Sequence, residues 1–169
     1  MIKKSIIKKV FKIHRSLAGD GNRKTLNILS NQASKSIKIK SFKSGKLYNG
    51  WKIPNEWNVK EAFISYKDKK IIDFKKNNLH VVSYSVPFEG KLTKQELLNH
   101  LHTLPDKPET IPYRTSYYNK NWGFCCTHNL ISSEDFVGPF QVLIDSHIKD
   151  DGVLNWLEYR KKGSSDDEI

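Results

Sequence analysis

The character of this chain changes near residue 50, from a mostly helical hydrophobic pattern to an aromatic, turn-rich series of short strands, and that change constrains its fold most. Up to that point Ile2, Ile6, Val10, Ile13 and Leu17 recur at helical spacing, with Ile7 and Phe11 widening the stripe. This predicts an amphipathic helix over residues 2–17 with its lysines in water. Gly19, Asp20 and Gly21 break it, and Asp20 or Asn22 is placed to cap a second helix through Arg23, Leu26, Ile28 and Leu29. Residues 36–42 then alternate, as a half-buried strand does.

After Gly45, the aromatic and turn-rich run Trp51, Ile53, Pro54 and Trp57 leads into short strands predicted at 62–66, 70–74, 79–84, 113–118, 122–127 and 141–144. One helix interrupts them. It starts at Thr93, with Glu96 placed for a capping box, and runs through Leu97, Leu98 and Leu101 until the segment between Pro105 and Pro112. Residues 152–159 alternate again and read as a last strand. No internal repeat or low-complexity tract is evident. The expected fold class is α+β, divided at residues 1–50, 51–150 and 151–169.

The net charge of +11 raises the question of nucleic acid, and its distribution answers against it. Residues 1–50 carry 13 Lys/Arg against the single acid Asp20, leaving 16 bases and 17 acids for the rest. The excess is almost all lysine, whereas bidentate recognition of phosphates and guanine edges favours arginine. A solvated lysine face is the favoured reading, with nucleic-acid binding through the first helix as its competitor. No run approaches the length of about 20 apolar residues that crosses a bilayer, so no membrane partner is expected and the protein is expected to be cytoplasmic. Its two cysteines, Cys125 and Cys126, are adjacent, and a disulfide between them would be strained. A secreted disulfide scaffold is excluded on that ground.

Constellations for chemistry are incomplete. The run Gly19-Asp20-Gly21-Asn22-Arg23-Lys24-Thr25 lacks the glycine spacing of a phosphate loop and reads as a helix–helix turn. Cys126 with His128, and Asp145 with His147, each share a strand face, and His100 and His102 diverge on a helix. Each pair offers at most two ligands, short of the three or four a zinc ion needs. No catalytic residue and no metal ligand is therefore assigned. The densest cluster is Tyr113-Arg114-Thr115-Ser116-Tyr117-Tyr118 followed by Trp122-Gly123-Phe124-Cys125. Rings around an arginine suit a sugar- or peptide-binding face and equally suit a β core. The candidate binding residues are Arg114, His128, Tyr113 and Tyr117.

Several ordered motifs carry a resemblance. They are His14-Arg15-Ser16-Leu17-Ala18-Gly19-Asp20-Gly21-Asn22-Arg23-Lys24-Thr25-Leu26, Trp51-Lys52-Ile53-Pro54-Asn55-Glu56-Trp57, Ile72-Asp73-Phe74 and Asn78-Leu79-His80-Val81-Val82. They continue with His100-Leu101, Leu104-Pro105, Ile111-Pro112-Tyr113-Arg114-Thr115-Ser116-Tyr117-Tyr118, Trp122-Gly123-Phe124-Cys125 and Ile144-Asp145. Together they resemble the amino-terminal part of bacterial aminopeptidase-like proteins of the zinc-peptidase superfamily, associated with polysaccharide biosynthesis.

The resemblance implies that residues 1–50 begin an α/β aminopeptidase-like domain of two helices and a strand. Residues 51–150 would be a β-rich insert of unknown function, and residues 151–169 would hold the strand that returns to the main sheet. It also implies that the zinc ligands and the glutamate base lie downstream, so that the chain, read as ending mid-fold at Ile169, is an inactive fragment of a zinc hydrolase acting on peptide or amide bonds. Arg114 and His128 are then expected to line a cleft between the insert and the main domain. A frayed native tail would look similar at the carboxy terminus. The alternative function is a non-catalytic β module that binds a glycan, a peptide or another protein. Expected partners are such a ligand, a second copy, or the missing carboxy-terminal portion.

Overall fold

The structure, a computed structural model, describes residues 4–32, 37–160 and 163. In chain order these form α1 (Lys4–Phe11), α2 (Asp20–Ser30), β1 (Ile37–Lys43), β2 (Leu47–Tyr48), β3 (Trp51–Lys52), β4 (Glu56–Tyr66), β5 (Lys69–Asp73), β6 (Phe88–Leu92), α3 (Lys94–Leu98), β7 (Leu101–His102), β8 (Phe124–Cys125), α4 (His128–Ser132), β9 (Phe140–Lys149) and β10 (Val153–Tyr159). The fold is mixed, with helices and several separate sheets. Contacts divide it into two compact units, one drawn from residues 1–56 and 150–169, the other from Trp57–Lys149.

In the first unit, α1 is shorter than the helical period of residues 2–17 predicts. Only Ile6 is buried along it, and Phe11 and Leu17 are exposed. Beyond α1, Gly21 comes against the His14 carbonyl so closely that a Cβ there would overlap it. The predicted cap of α2 is also corrected. Gly19 occupies the N-cap with no side-chain bond, Asp20 instead pairs with Arg23 at 2.5 Å, and the Asn22 amide donates to the Leu17 and Asn155 carbonyls.

β1 and β10 form an antiparallel ribbon, Ile37 facing Tyr159 and Lys43 facing Val153. Residue 36, where the first strand was expected to start, lies outside the described residues. β2 and β3 make a hairpin whose turn residues Asn49 and Gly50 take φ of 48° and 81°, the left-handed pair that a two-residue turn of this kind requires. The core here is thin: Ala18, Ile53 and Leu154 with Phe42 against them.

Much of this unit's order comes from one buried carboxylate. Glu56, 4% exposed, accepts both arms of Arg23 at 2.6 and 2.8 Å and the Val153 backbone N–H at 2.8 Å. Hydrogen bonding to Glu56 raises the Arg23 pKa further above its ordinary value. Gly152 lies against the Glu56 side chain with no room for a Cβ.

The second unit is built on a four-stranded sheet in the order β5-β4-β9-β6. Along β9, Phe140, Val142, Ile144 and Ser146 are buried while Gln141, Asp145 and His147 are exposed, the alternation that one covered face imposes. Trp57, Ile64, Ile72, Phe124, Phe140 and Ile144 fill the core. Ser85 supplies its polar centre: its carbonyl accepts from the Trp57 indole and the Ser146 hydroxyl, each at 2.8 Å. The capping box forms as expected, Thr93 Oγ1 accepting from the Glu96 N–H and the Glu96 carboxylate accepting from the Thr93 N–H. These bonds hold the Glu96 carboxyl below its ordinary pKa.

The structure corrects four other expectations. α3 stops at Leu98, and Leu101 belongs to β7. Residues 79–84 are a 3-10 turn, Asn78–His80, followed by isolated bridges from Val81 and Ser83. Residues 113–118 hold a single bridge, at Thr115. Tyr84 and Tyr117 take φ of 66° and 53°, and that left-handed geometry ends any ladder. Finally, the strand expected at 122–127 is only Phe124–Cys125, and α4, a second helix in this unit, follows it.

Candidate functional site

Three of the four candidate residues lie on one pinned segment. The Ser83 N–H donates to the Arg114 carbonyl at 3.1 Å, and the Ser83 carbonyl accepts from Ser116 N–H at 2.8 Å and Thr115 Oγ1 at 3.3 Å. The Tyr117 N–H donates in turn to Thr115 Oγ1 at 3.2 Å. A short loop tied at its middle presents its flanks outward: Tyr113 is 64% exposed, Tyr118 is 51% exposed, and Arg114 is exposed. Behind them a file of rings runs inward, from Tyr118 to Tyr117 at 4.2 Å, to Tyr84 at 5.9 Å and to the buried Trp57 at 5.9 Å. Tyr113 and Tyr118 therefore belong to the surface, while Tyr117 is half-buried and joins that surface to the core.

Arg114 acts on its neighbourhood by charge. The His102 pKa is lowered by burial and, after that, by Arg114 and His100. Burial pushes the Cys125 thiol up to about 11, although the Arg114 charge and backbone amide pull the other way. Cys126 rises to about 12, by burial and then by the adjacent Cys125. Both cysteines are free, fully buried thiols, the opposite of an exposed, low-pKa nucleophile. Beside them His100 stacks on Trp122 at 3.7 Å, and Trp122 on Phe88 at 4.0 Å.

His128 lies on a different element. It opens α4, and its Nδ1 is 3.0 Å from Thr103 Oγ1. The strand face it was expected to share with Cys126 does not exist, because the chain turns into a helix there. His100 and His102 are likewise not on a helix; the first ends the turn after α3 and the second lies in β7. Asp145 and His147 do share a face of β9, the exposed one. Among the described residues no group of three or more His, Cys, Asp or Glu is placed to hold a metal ion. Nor is any helix among them long and apolar enough to cross a membrane.

The sequence reading missed the groups around the β4–β5 hairpin, Lys67, Lys69 and Asp135, which line a cleft with Ile71, Leu130 and Phe136. Its only local signal is Lys67-Asp68 at a two-residue turn.

Comparison with known proteins finds similarity to a curated protein and to a solved structure. A Clostridium acetobutylicum protein named "Putative polysaccharide biosynthesis protein with aminopeptidase-like domain" is 43% identical over 166 residues, which is 98% of this chain and 37% of that protein. A crystal structure of a "putative peptidase" from Clostridium acetobutylicum superposes with a TM-score of 0.84 at 42% identity, over 92% of this chain and 36% of that one. This chain thus spans little more than a third of the length of the proteins it matches. The family profile described as "Domain of unknown function (DUF2172)" matches residues 56–147, more than half of the chain, and the chain belongs to that family.

Proposed function

We propose that this chain is the amino-terminal part of an aminopeptidase-like zinc hydrolase that cleaves peptide or amide bonds, and that residues supplying the chemistry belong to the rest of that protein. The observation that carries the reading is 43% identity over 98% of the chain to a relative named for an aminopeptidase-like domain. A zinc-bound water needs three converging protein ligands and a base within reach. The described residues do not fit that requirement, since their histidines, cysteines and acids form pairs at most. No catalytic step is assigned to them.

The test uses this chain and a chimera joining it to the remaining residues of the Clostridium acetobutylicum relative. With leucine p-nitroanilide, the chain alone is expected to give no turnover above blank with or without added zinc. The chimera is expected to turn over and to lose activity to a chelator. Turnover by the chain alone, or a folded chimera without activity, contradicts the proposal.

A second reading rests on the exposed Tyr113, Arg114 and Tyr118 of the pinned loop: the Trp57–Lys149 unit is a binding module for a glycan or peptide. Ligand capture abolished by Arg114→Ala supports it, and a blank across glycan and peptide arrays removes it.

A further inference from the structure

The cleft beside the β4–β5 hairpin has a volume of about 380 Å³, at the small end of ligand-pocket sizes, about 300–1,000 Å³. Its apolar lining comes from separate elements: Ile71 from β5, Leu130 from α4 and Phe136 from the loop that follows. Its charged lining comes from Lys67 and Lys69 at the hairpin and Asp135 in that loop. Among the described residues these three charges form no ion pair with one another, although they line one cleft. Lys67 lies instead over the Tyr66 ring, 5.2 Å from its centre.

The hairpin itself departs from the usual chemistry of its turn. Lys67 and Asp68 take φ of 47° and 61°, where two-residue turns favour Asn-Gly or Asp-Gly because a Cβ is disfavoured there. Lys67 thus holds a strained position bordering an apolar hollow. Two cations and one anion around such a hollow match a ligand that carries its own carboxylate, its own ammonium and an apolar body. A fatty acid would leave Asp135 unanswered, and an amine would meet two lysines.

We propose that this cleft binds an apolar α-amino acid as its zwitterion, with the carboxylate on Lys67 and Lys69, the ammonium on Asp135 and the side chain against Ile71, Leu130 and Phe136. Arg114 is not among the residues that line the cleft, and the proposal does not rest on the peptidase reading.

The experiment is an NMR titration of the isotopically labelled 169-residue chain with L-leucine, L-phenylalanine, glycine, leucinamide and N-acetylleucine. Leucine and phenylalanine should give saturable millimolar shifts at the amides of Ile71, Leu130 and Phe136, and glycine none. Leucinamide and N-acetylleucine, each missing one charge, should bind about tenfold more weakly. Lys69→Gln and Asp135→Asn change exposed side chains and should weaken leucine by a similar factor while leaving the rest of the spectrum in place. Absence of saturable shifts up to the solubility of leucine, binding of leucinamide or N-acetylleucine as tight as that of leucine, or an unaffected K69Q/D135N double variant overturns the proposal. None of these results bears on turnover by the chimera.

Discussion

The Trp57–Lys149 unit gathers 13 buried residues into one core, among them Trp57, Phe124 and Phe140, whereas the unit around β1 and β10 buries Ala18, Ile53 and Leu154 with Phe42 against them. At roughly 1.5–3 kcal/mol for each large apolar side chain taken from water, the first has the means to fold on its apolar content and the second does not. The second relies more on polar geometry, the Glu56 carboxylate gripping Arg23 and the Val153 N–H. Among the described residues its strands pair only two by two, β1 with β10 and β2 with β3, an arrangement only marginally stable by itself. The DUF2172 match, residues 56–147, falls on the unit with the large core.

The comparison can be broken from either side. Trp57→Ala removes a fully buried ring and a hydrogen bond to Ser85, and should cost about 4 kcal/mol, read as the denaturant midpoint of the Trp57–Lys149 unit. A loss below about 1 kcal/mol would mean that this core is not what holds the unit. Glu56→Ala leaves the Val153 N–H without its acceptor and Arg23 with Asp20 alone, and should cost about 2.5 kcal/mol, read by exchange of the β10 amides. Glu56→Gln should recover part of it.

Acid should then sharpen the contrast. Burial, with a smaller effect of Arg15, lowers His14 from 6.5 to about 4. The unfolded chain therefore binds the proton more readily, so the stabilisation is complete above the ordinary histidine value and is lost as pH falls toward 4. The loss is on the order of 2 kcal/mol, and His14→Gln should flatten it. His102, also lowered, adds a loss of the same sign to the other unit. The smallest effect belongs to Thr93→Ala, which opens the capping box of α3 and should cost about 1 kcal/mol by thermal melting.

What was legible in the sequence was what neighbours in sequence decide. The capping box needs only Thr93 and Glu96, and β10 announces itself by alternation. The 113–118 segment carries β-forming Tyr113, Thr115, Tyr117 and Tyr118 and still makes no strand, because Ser83 ties it at Thr115 and Tyr117 is left-handed. That tie joins residues more than 30 positions apart, beyond any local pattern. α4 was missed because five residues are too few to show a helical period. Arg114 was found as a candidate because it stood out among aromatic residues. The cleft lined by Lys67, Lys69 and Asp135 was not, because β5, α4 and a loop build it together.

Native-state hydrogen exchange on the whole chain tests the contrast most directly, since one experiment reads both units under one condition. The slowest amides should lie in β4 and β9, and those of the β1–β10 ribbon should exchange about a hundredfold faster. Ribbon amides as slow as those of β9 would contradict the account.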